Sequence, residues 1–146
     1  MSMHDLLETI RTFEGVLEVA PSAGGPYPEI SWGDHYFYYA PDGVIPQRVQ
    51  PYATVATKDY PDDTASQLQG PDRWRVNIHI GRDRARRLLG DGGDWDFAAT
   101  DTLLPHPLYG RQGWIAVVTP GQHTTAAVVE LLDTAHREAK RRWDRR

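Results

Sequence analysis

The segment from Asp101 to Tyr109 carries side chains that could do chemistry. Pro105 and Pro107 flank His106, which excludes a regular helix or central strand because proline restricts its own backbone and the preceding residue. Imidazole titrates near neutrality, so a rigidly held histidine can act as acid, base or ligand. We predict His106 as the catalytic candidate, with Asp101 or Tyr109 orienting its ring. Alternatively, the prolines shape a tight crossover and His106 only hydrogen-bonds a backbone carbonyl.

A second set of polar side chains is predicted on one face of a sheet. Residues 75–80 alternate, with apolar residues on one face and Asn77 and His79 on the other. Tyr36 and Tyr38 offer a similar amphipathic face, and together these residues predict a polar, aromatic concavity of the kind that binds ligands. The candidate ligand-binding residues are Tyr36, Tyr38, Lys58, Asn77, His79 and Trp114. The alternative is a solvated outer face with ordinary cross-strand pairs.

Other kinds of site are less well supported by the sequence. Gly81-Arg82-Asp83-Arg84 stands where a strand enters a predicted helix, so free N–H groups and two arginines could hold an anion. Asp83 already compensates the helix dipole, however, and no glycine-rich phosphate motif is present. The six histidines lack helical i, i+4 spacing and cysteine is absent, so we predict no metal site and no cofactor. Ser31 and Ser66 lack the context of a hydrolase nucleophile.

Length and composition indicate a single domain, residues 1–146. Without cysteine there is no disulfide framework. The first residues lack the basic and apolar regions of a signal peptide, and no later stretch approaches the roughly 20 apolar residues of a membrane span. These features predict a cytoplasmic protein, without a membrane partner, that is a monomer or a homodimer.

Charge is unevenly distributed along the chain. Sixteen Lys and Arg against twenty Asp and Glu give a net charge of -4, but residues 124–146 have six basic and four acidic residues. The net charge of this end of the chain is therefore +2, and that of the remainder is -6. The overall acidity argues against a nucleic-acid partner. A basic final helix that binds nucleic acid or protein remains the third functional alternative.

Hydrophobic periodicity and turn residues predict an α+β fold. Helices are expected at 3–13, from Gly81 to 89 and from 124 onward, with strands at 16–19, 35–39, 52–57, 75–80 and 114–118. A further strand at 29–32 would form a hairpin with 35–39 around Gly33-Asp34. This order predicts two layers, a mainly antiparallel sheet with the N- and C-terminal helices packed on one face.

Several short sequence motifs resemble those of an actinobacterial family, which is a domain of unknown function of about this length. They are Trp32-Gly33-Asp34, Thr57-Lys58-Asp59-Tyr60-Pro61, Arg75-Val76-Asn77-Ile78 and Leu104-Pro105-His106-Pro107-Leu108-Tyr109 followed by Gly113-Trp114. More distantly, the element order is similar to MmcQ/YjbR-like domains, whose fold resembles the frataxin homologue CyaY. The resemblance implies the fold and a nucleic-acid alternative. It does not imply iron binding, because the first helix lacks an acidic ridge.

The leading functional hypothesis is a binding module for a small organic or anionic ligand, with its pocket at the sheet face and the His106 loop. The second is a small enzyme in which His106 does acid–base work. A deep pocket at His106 would favour these two, and a flat face with clustered arginines would favour the interaction domain.

Overall fold

One sheet of six strands organises the chain. The computed structural model describes all of residues 1–146. The helices are α1 (Met3–Arg11), α2 (Arg82–Leu89) and α3 (Thr125–Asp144), and the strands are β1 (Val16–Val19), β2 (His35–Tyr39), β3 (Ala53–Ala56), β4 (Arg75–His79), β5 (Leu104–Pro105) and β6 (Trp114–Val118). The strand order is β1-β2-β3-β4-β6-β5, and all paired neighbours are antiparallel. The predicted α+β class is confirmed.

The N- and C-terminal helices bury their apolar sides with one face of the sheet. Ser2 and Asp5 form a capping box that starts α1, as expected for residues that satisfy the free N–H groups of a first turn. The predicted end at residue 13 was too late, because α1 ends at Arg11 with Thr12 as its C-cap. The shared core includes Leu6, Ile10, Phe37, Val55, Val76, Ile78, Ile115, Val117, Val128 and Leu132.

Residues 29–32 do not form the predicted strand. Residues Glu29–Ser31 are a short 3-10 helix instead. The Ser31 hydroxyl donates to the Pro28 carbonyl at 2.7 Å, and the Trp32 indole N–H donates to the Tyr27 carbonyl at 3.0 Å. These local bonds compete with a strand ladder. The prediction of a hairpin around Gly33-Asp34 is therefore wrong, and β2 pairs with β1 and β3.

The opposite face of the sheet is polar at its centre. Tyr36, Thr54 and Asn77 lie side by side on β2, β3 and β4, and Arg75 lies two residues before Asn77 on the same face. This open face is partly covered by the connection between β3 and β4 and by the loop after β5, which contribute the side chains described below. No helix is long and apolar enough to cross a membrane.

Candidate functional site

The open face of the sheet holds a cavity of about 230 Å³, here called the sheet pocket. Strands β2, β3 and β4 supply its floor, and the two covering loops supply its walls. Its aromatic lining consists of Tyr36, Tyr60 and Tyr109. Its polar lining includes Asp34, Thr54, Asp63, Arg75, Asn77 and His106. The pocket therefore combines flat rings with hydrogen-bonding groups.

Arg75 places a buried charge beside this pocket. The residue is only 3% exposed, and its guanidinium forms a two-point ion pair with Asp63, with N–O distances of 3.1 and 2.6 Å. Nη1 also donates to the Ser66 hydroxyl at 2.8 Å, and Nε donates to the Asn77 side-chain carbonyl at 2.7 Å. These contacts give an oxygen acceptor to all but one of the five N–H groups of the side chain.

The remaining N–H of Arg75 points at His106. The His106 ring is 6% exposed, and its Nδ1 lies 3.1 Å from the backbone N–H groups of both Leu108 and Tyr109. Two donors at Nδ1 require a lone pair there, which assigns the proton of the neutral ring to Nε2. Burial and the charge of Arg75 lower the pKa of His106 to about 4, against the opposing influence of Asp63. The ring is therefore neutral at pH 7, with an N–H at Nε2.

Two buried donors consequently face each other. Nε2 of His106 is 3.2 Å from Nη2 of Arg75, and both atoms carry hydrogen in the assignment above. Oδ2 of Asp63 is 3.8 Å from Nε2, which is too long for a hydrogen bond. A buried N–H without a well-placed acceptor is unfavourable. An oxygen atom beside the two nitrogens, forming a triangle with them at hydrogen-bond distance from each, would accept from both.

Asp34 fixes the opposite wall of the sheet pocket. This carboxylate is 2% exposed and accepts from the backbone N–H and hydroxyl of Thr57 at 2.8 and 2.7 Å. Lys58 Nζ lies 3.2 Å from it, and the Tyr60 hydroxyl donates to its second oxygen at 2.5 Å. The two motifs Trp32-Gly33-Asp34 and Thr57-Lys58-Asp59-Tyr60 are thus in contact through the carboxylate of Asp34. Their contact positions the Tyr60 ring.

The tyrosines on this wall form a directed chain of hydrogen bonds. The Tyr36 and Tyr60 hydroxyls are 3.2 Å apart, and since Tyr60 donates to Asp34, Tyr36 must donate to Tyr60. Burial, together with the bond to Asp34, raises the pKa of Tyr60, and burial raises the pKa of Tyr36. Both hydroxyls therefore remain protonated at neutral pH and hold the rings in place.

Four of the predicted residues meet at the sheet pocket: Tyr36, Asn77, His106 and Tyr109. The rings of Tyr109 and His106 lie 4.9 Å apart with an interplanar angle of 33°. Lys58 lies behind the wall, where its ammonium is held by Asp34 and by the Trp32 carbonyl at 2.5 Å. It positions the wall and does not line the pocket.

The structure places the other predicted residues elsewhere. Asp101 does not orient His106; its carboxylate accepts from Gly121 and Thr124 at the start of α3. His79 packs against Trp114, with ring centroids 5.3 Å apart, and its Nε2 donates to the Gln112 carbonyl at 3.0 Å. Tyr38 lines a separate cavity near the end of α3.

Three residues of the site were not predicted from the sequence: Arg75, Asp63 and Tyr60. Arg75 nevertheless shares the polar face with Asn77. A charged residue two positions before Asn77 on a central strand was the feature of the sequence that could have indicated its role. Asp63 and Ser66 lie in a connection with no periodic pattern, so nothing in the sequence placed them beside Arg75. No group of three or more His, Cys, Asp or Glu side chains is arranged to hold a metal ion.

The fold and this site define a class: an antiparallel α+β domain with a buried Arg–Asp pair beneath a pocket on its open face. The chain belongs to the Family of unknown function (DUF6194), whose family model matches residues 1–146. This confirms the resemblance to a family of unknown function. No curated protein and no solved structure matches the chain significantly.

Proposed function

We propose that the protein is a small-molecule binding module whose ligand occupies the sheet pocket. The buried N–H groups of Arg75 and His106, 3.2 Å apart at their nitrogens, carry this proposal. A ligand oxygen that accepts from both groups replaces an unfavourable donor–donor contact with two hydrogen bonds. Because both groups are held by other bonds before the ligand arrives, little side-chain freedom is lost on binding.

Charge and shape favour an uncharged ligand. Arg75 is neutralised by Asp63, and Lys58 by Asp34, so the sheet pocket has no excess positive charge to attract an anion. The three tyrosine rings suit a ring-shaped or apolar part of the ligand. The volume of 230 Å³ accommodates roughly eight water-sized groups. These features support a small, neutral molecule that presents a carbonyl or hydroxyl oxygen to His106.

A ligand-observed NMR screen tests the proposal, with monosaccharides, lactams, small amides and carboxylic acids as probes. Neutral probes with a carbonyl or hydroxyl oxygen are expected to bind, and Asp63→Leu combined with Arg75→Met should abolish their binding. This double variant removes both buried charges together, so it is expected to fold. The matched control, Asp133→Leu with Arg137→Met, removes an exposed pair on α3 and should bind as the wild type does. Equal binding to both double variants would exclude the sheet pocket.

An enzyme is the second candidate, favoured by the position of the single ring proton of neutral His106 at Nε2. A neutral ring that presents N–H next to a guanidinium can polarise a carbonyl group. It is not placed to act as a base, because its free lone pair at Nδ1 accepts from Leu108 and Tyr109. Conversion of a bound carbonyl compound, lost in His106→Gln while binding is retained, would favour this function over binding alone.

We also propose the more distant relation to MmcQ/YjbR-like domains. The element order supports it: β4 runs directly into α2, Trp114 begins β6, and the chain ends in the long α3. An experimental structure with a different strand order would remove this support.

A further inference from the structure

A second, larger concavity lies on the other side of His106, between α2 and residues 105–111. It has a volume of about 640 Å³, within the range of typical ligand sites. We call it the arginine cleft, because Arg82, Arg86 and Arg111 line it. It shares only His106 and Leu108 with the sheet pocket, so the His106 loop separates the two.

The arginine cleft is positively charged within an acidic protein. Asp91 is its only acidic lining residue; it lies 2.7 Å from Arg86, and their side chains are 74% and 61% exposed. Such an exposed pair is weak. Arg82 and Arg111 have no carboxylate within salt-bridge distance. The lining residues therefore carry a net charge of +2, whereas the net charge of the whole chain is -4. A local excess of positive charge of this kind attracts anions.

The walls of the cleft are rigid on one side and aromatic on another. Pro105 and Pro107 restrict the backbone, and a Cβ added at Gly110 would lie 2.9 Å from the Cβ of Pro105, so this wall is close-packed. Trp95 and Phe97 are half-buried and add flat apolar surface. The charged and aromatic parts together match a ligand that carries both an anionic group and a planar ring.

We propose that the arginine cleft binds a phosphate ester that carries a planar ring, with Arg82 and Arg111 on the phosphate and Trp95 against the ring. Guanidinium groups match phosphate oxygens in a fork geometry that a single ammonium cannot provide. Asp83, in the first turn of α2, partly offsets the helix dipole, so the arginine side chains supply the main attraction. This site is separate from the proposed ligand of the sheet pocket.

Calorimetric titration with AMP, adenosine and inorganic phosphate tests the proposal on the full chain. AMP should bind more tightly than either of the other probes, because only AMP engages both parts of the cleft. Arg82→Gln combined with Arg111→Gln should weaken AMP binding by about ten-fold or more, the loss expected for charge-assisted hydrogen bonds. Trp95→Ala should weaken AMP binding and leave phosphate binding unchanged.

The control is Arg87→Gln, an exposed arginine of the same helix that does not line the cleft. It should bind AMP as the wild type does, as should the Asp63→Leu, Arg75→Met variant of the sheet pocket. The proposal is overturned if AMP does not bind, if adenosine binds as tightly as AMP, or if Arg87→Gln loses as much affinity as the cleft variant. If only the Asp63→Leu, Arg75→Met variant loses affinity for AMP, the AMP site lies in the sheet pocket, and the proposal is overturned in that case too.

Discussion

Arg75 and Asp63 form an ion pair whose side chains are 4% and 9% exposed. Desolvation of two charges offsets much of their attraction, so a buried pair of this kind is weak evidence for stability. Evolution could fill the same space with apolar side chains at little or no loss. The position of the Arg75–Asp63 pair beside a pocket therefore favours a role in ligand recognition. Measurements of stability can distinguish this role from a structural one.

Arg75→Met alone should destabilise the protein by about 3–5 kcal/mol, because Asp63 is then left buried without its partner. Asp63→Leu combined with Arg75→Met should recover most of that loss, since no uncompensated charge remains. Urea unfolding of the two variants and the wild type gives both values. A single variant that loses less than about 0.5 kcal/mol, as a surface site would, would show that Asp63 is not effectively buried.

His106 should make stability depend on pH. Its pKa in the folded protein is about 4, below the value of about 6.5 in an unfolded chain. As pH falls, the unfolded state takes up the proton first, so this contribution is complete above about pH 6.5 and decreases toward pH 4. Burial lowers the pKa of His79 and His136 too, which adds a change of the same sign.

Unfolding free energies measured across this pH range should therefore decrease toward acid in the wild type. His106→Gln should show a smaller decrease, with the residual slope arising from His79 and His136 and, near pH 4, from carboxylates such as Glu18 and Asp101, whose pKa values are lowered in the folded protein. An unchanged slope in His106→Gln would mean that the ring protonates equally well in the folded and unfolded states.

The sequence located His106 but not its environment. Two flanking prolines marked it as a rigid position, and the alternation on β4 indicated which residues share a face. Neither pattern revealed that Arg75 is buried, because its cover comes from Asp63 and Ser66 in an aperiodic connection. Long-range pairing of this kind depends on the fold and leaves no local pattern.

At the scale of elements, α3 provides the main apolar cover of the sheet. Leu132 is fully buried, and Val128 and Ala135 belong to the same core. Leu132→Ala should cost about 2–5 kcal/mol, the usual loss when a core leucine site is emptied. Leu88→Ala, at a leucine of α2 that is 42% exposed, should change the free energy of unfolding by less than about 0.5 kcal/mol. A loss of less than about 0.5 kcal/mol in Leu132→Ala, as expected for Leu88→Ala, would place Leu132 outside the core.

Asp101 has a structural role at the start of α3. Thr124 makes no side-chain cap there; instead the Asp101 carboxylate accepts from the backbone of Gly121, His123 and Thr124 at 2.8, 3.0 and 2.9 Å. The Thr124 hydroxyl and these backbone bonds lower the pKa of Asp101 to about 2. The cap therefore stays ionised well into the acid range.

Asp101→Ala should lower Tm, because the backbone N–H groups of Gly121, His123 and Thr124, in the turn that leads into α3, lose their acceptor. Asp62→Ala, at an exposed acidic residue, should leave Tm unchanged in the same thermal melt. If Asp101→Ala has the same Tm as the wild type, the Asp101 carboxylate does not stabilise the start of α3.

Helices were predicted better than the strand at 29–32. A capping box and a 3.6-residue period define α1, and the period alone defines α3, each within a few residues, since these are local features. The aromatic segment before Gly33 has strand-like residues, but Pro28 and the local bonds of Ser31 and Trp32 favour a 3-10 turn. A hairpin motif was thus overridden by side-chain hydrogen bonds to nearby backbone.

Over the whole molecule, two of the six basic residues of the C-terminal end form ion pairs within α3, and a third stacks on an aromatic ring. Arg137 lies 3.0 Å from Asp133, Arg141 pairs with Glu138, and the Arg146 guanidinium stacks 3.4 Å from the ring centre of Trp143. Acidic partners on the same helix face reduce the field that a phosphate backbone would encounter. The excess of basic residues in this segment is therefore a poor measure of its affinity for nucleic acid.

Binding to mixed-sequence duplex DNA should be weak and should disappear as salt rises, since only non-specific phosphate contacts are available. Fluorescence anisotropy over a salt series measures this. Asp133→Asn combined with Glu138→Gln frees Arg137 and Arg141 and should increase affinity at low salt, whereas Asp62→Asn, remote in sequence from α3, should have a smaller effect. Tight, sequence-selective binding by the wild type at physiological salt would contradict this prediction and make α3 a nucleic-acid interface, because pairing within the helix would then not limit its contact with phosphate.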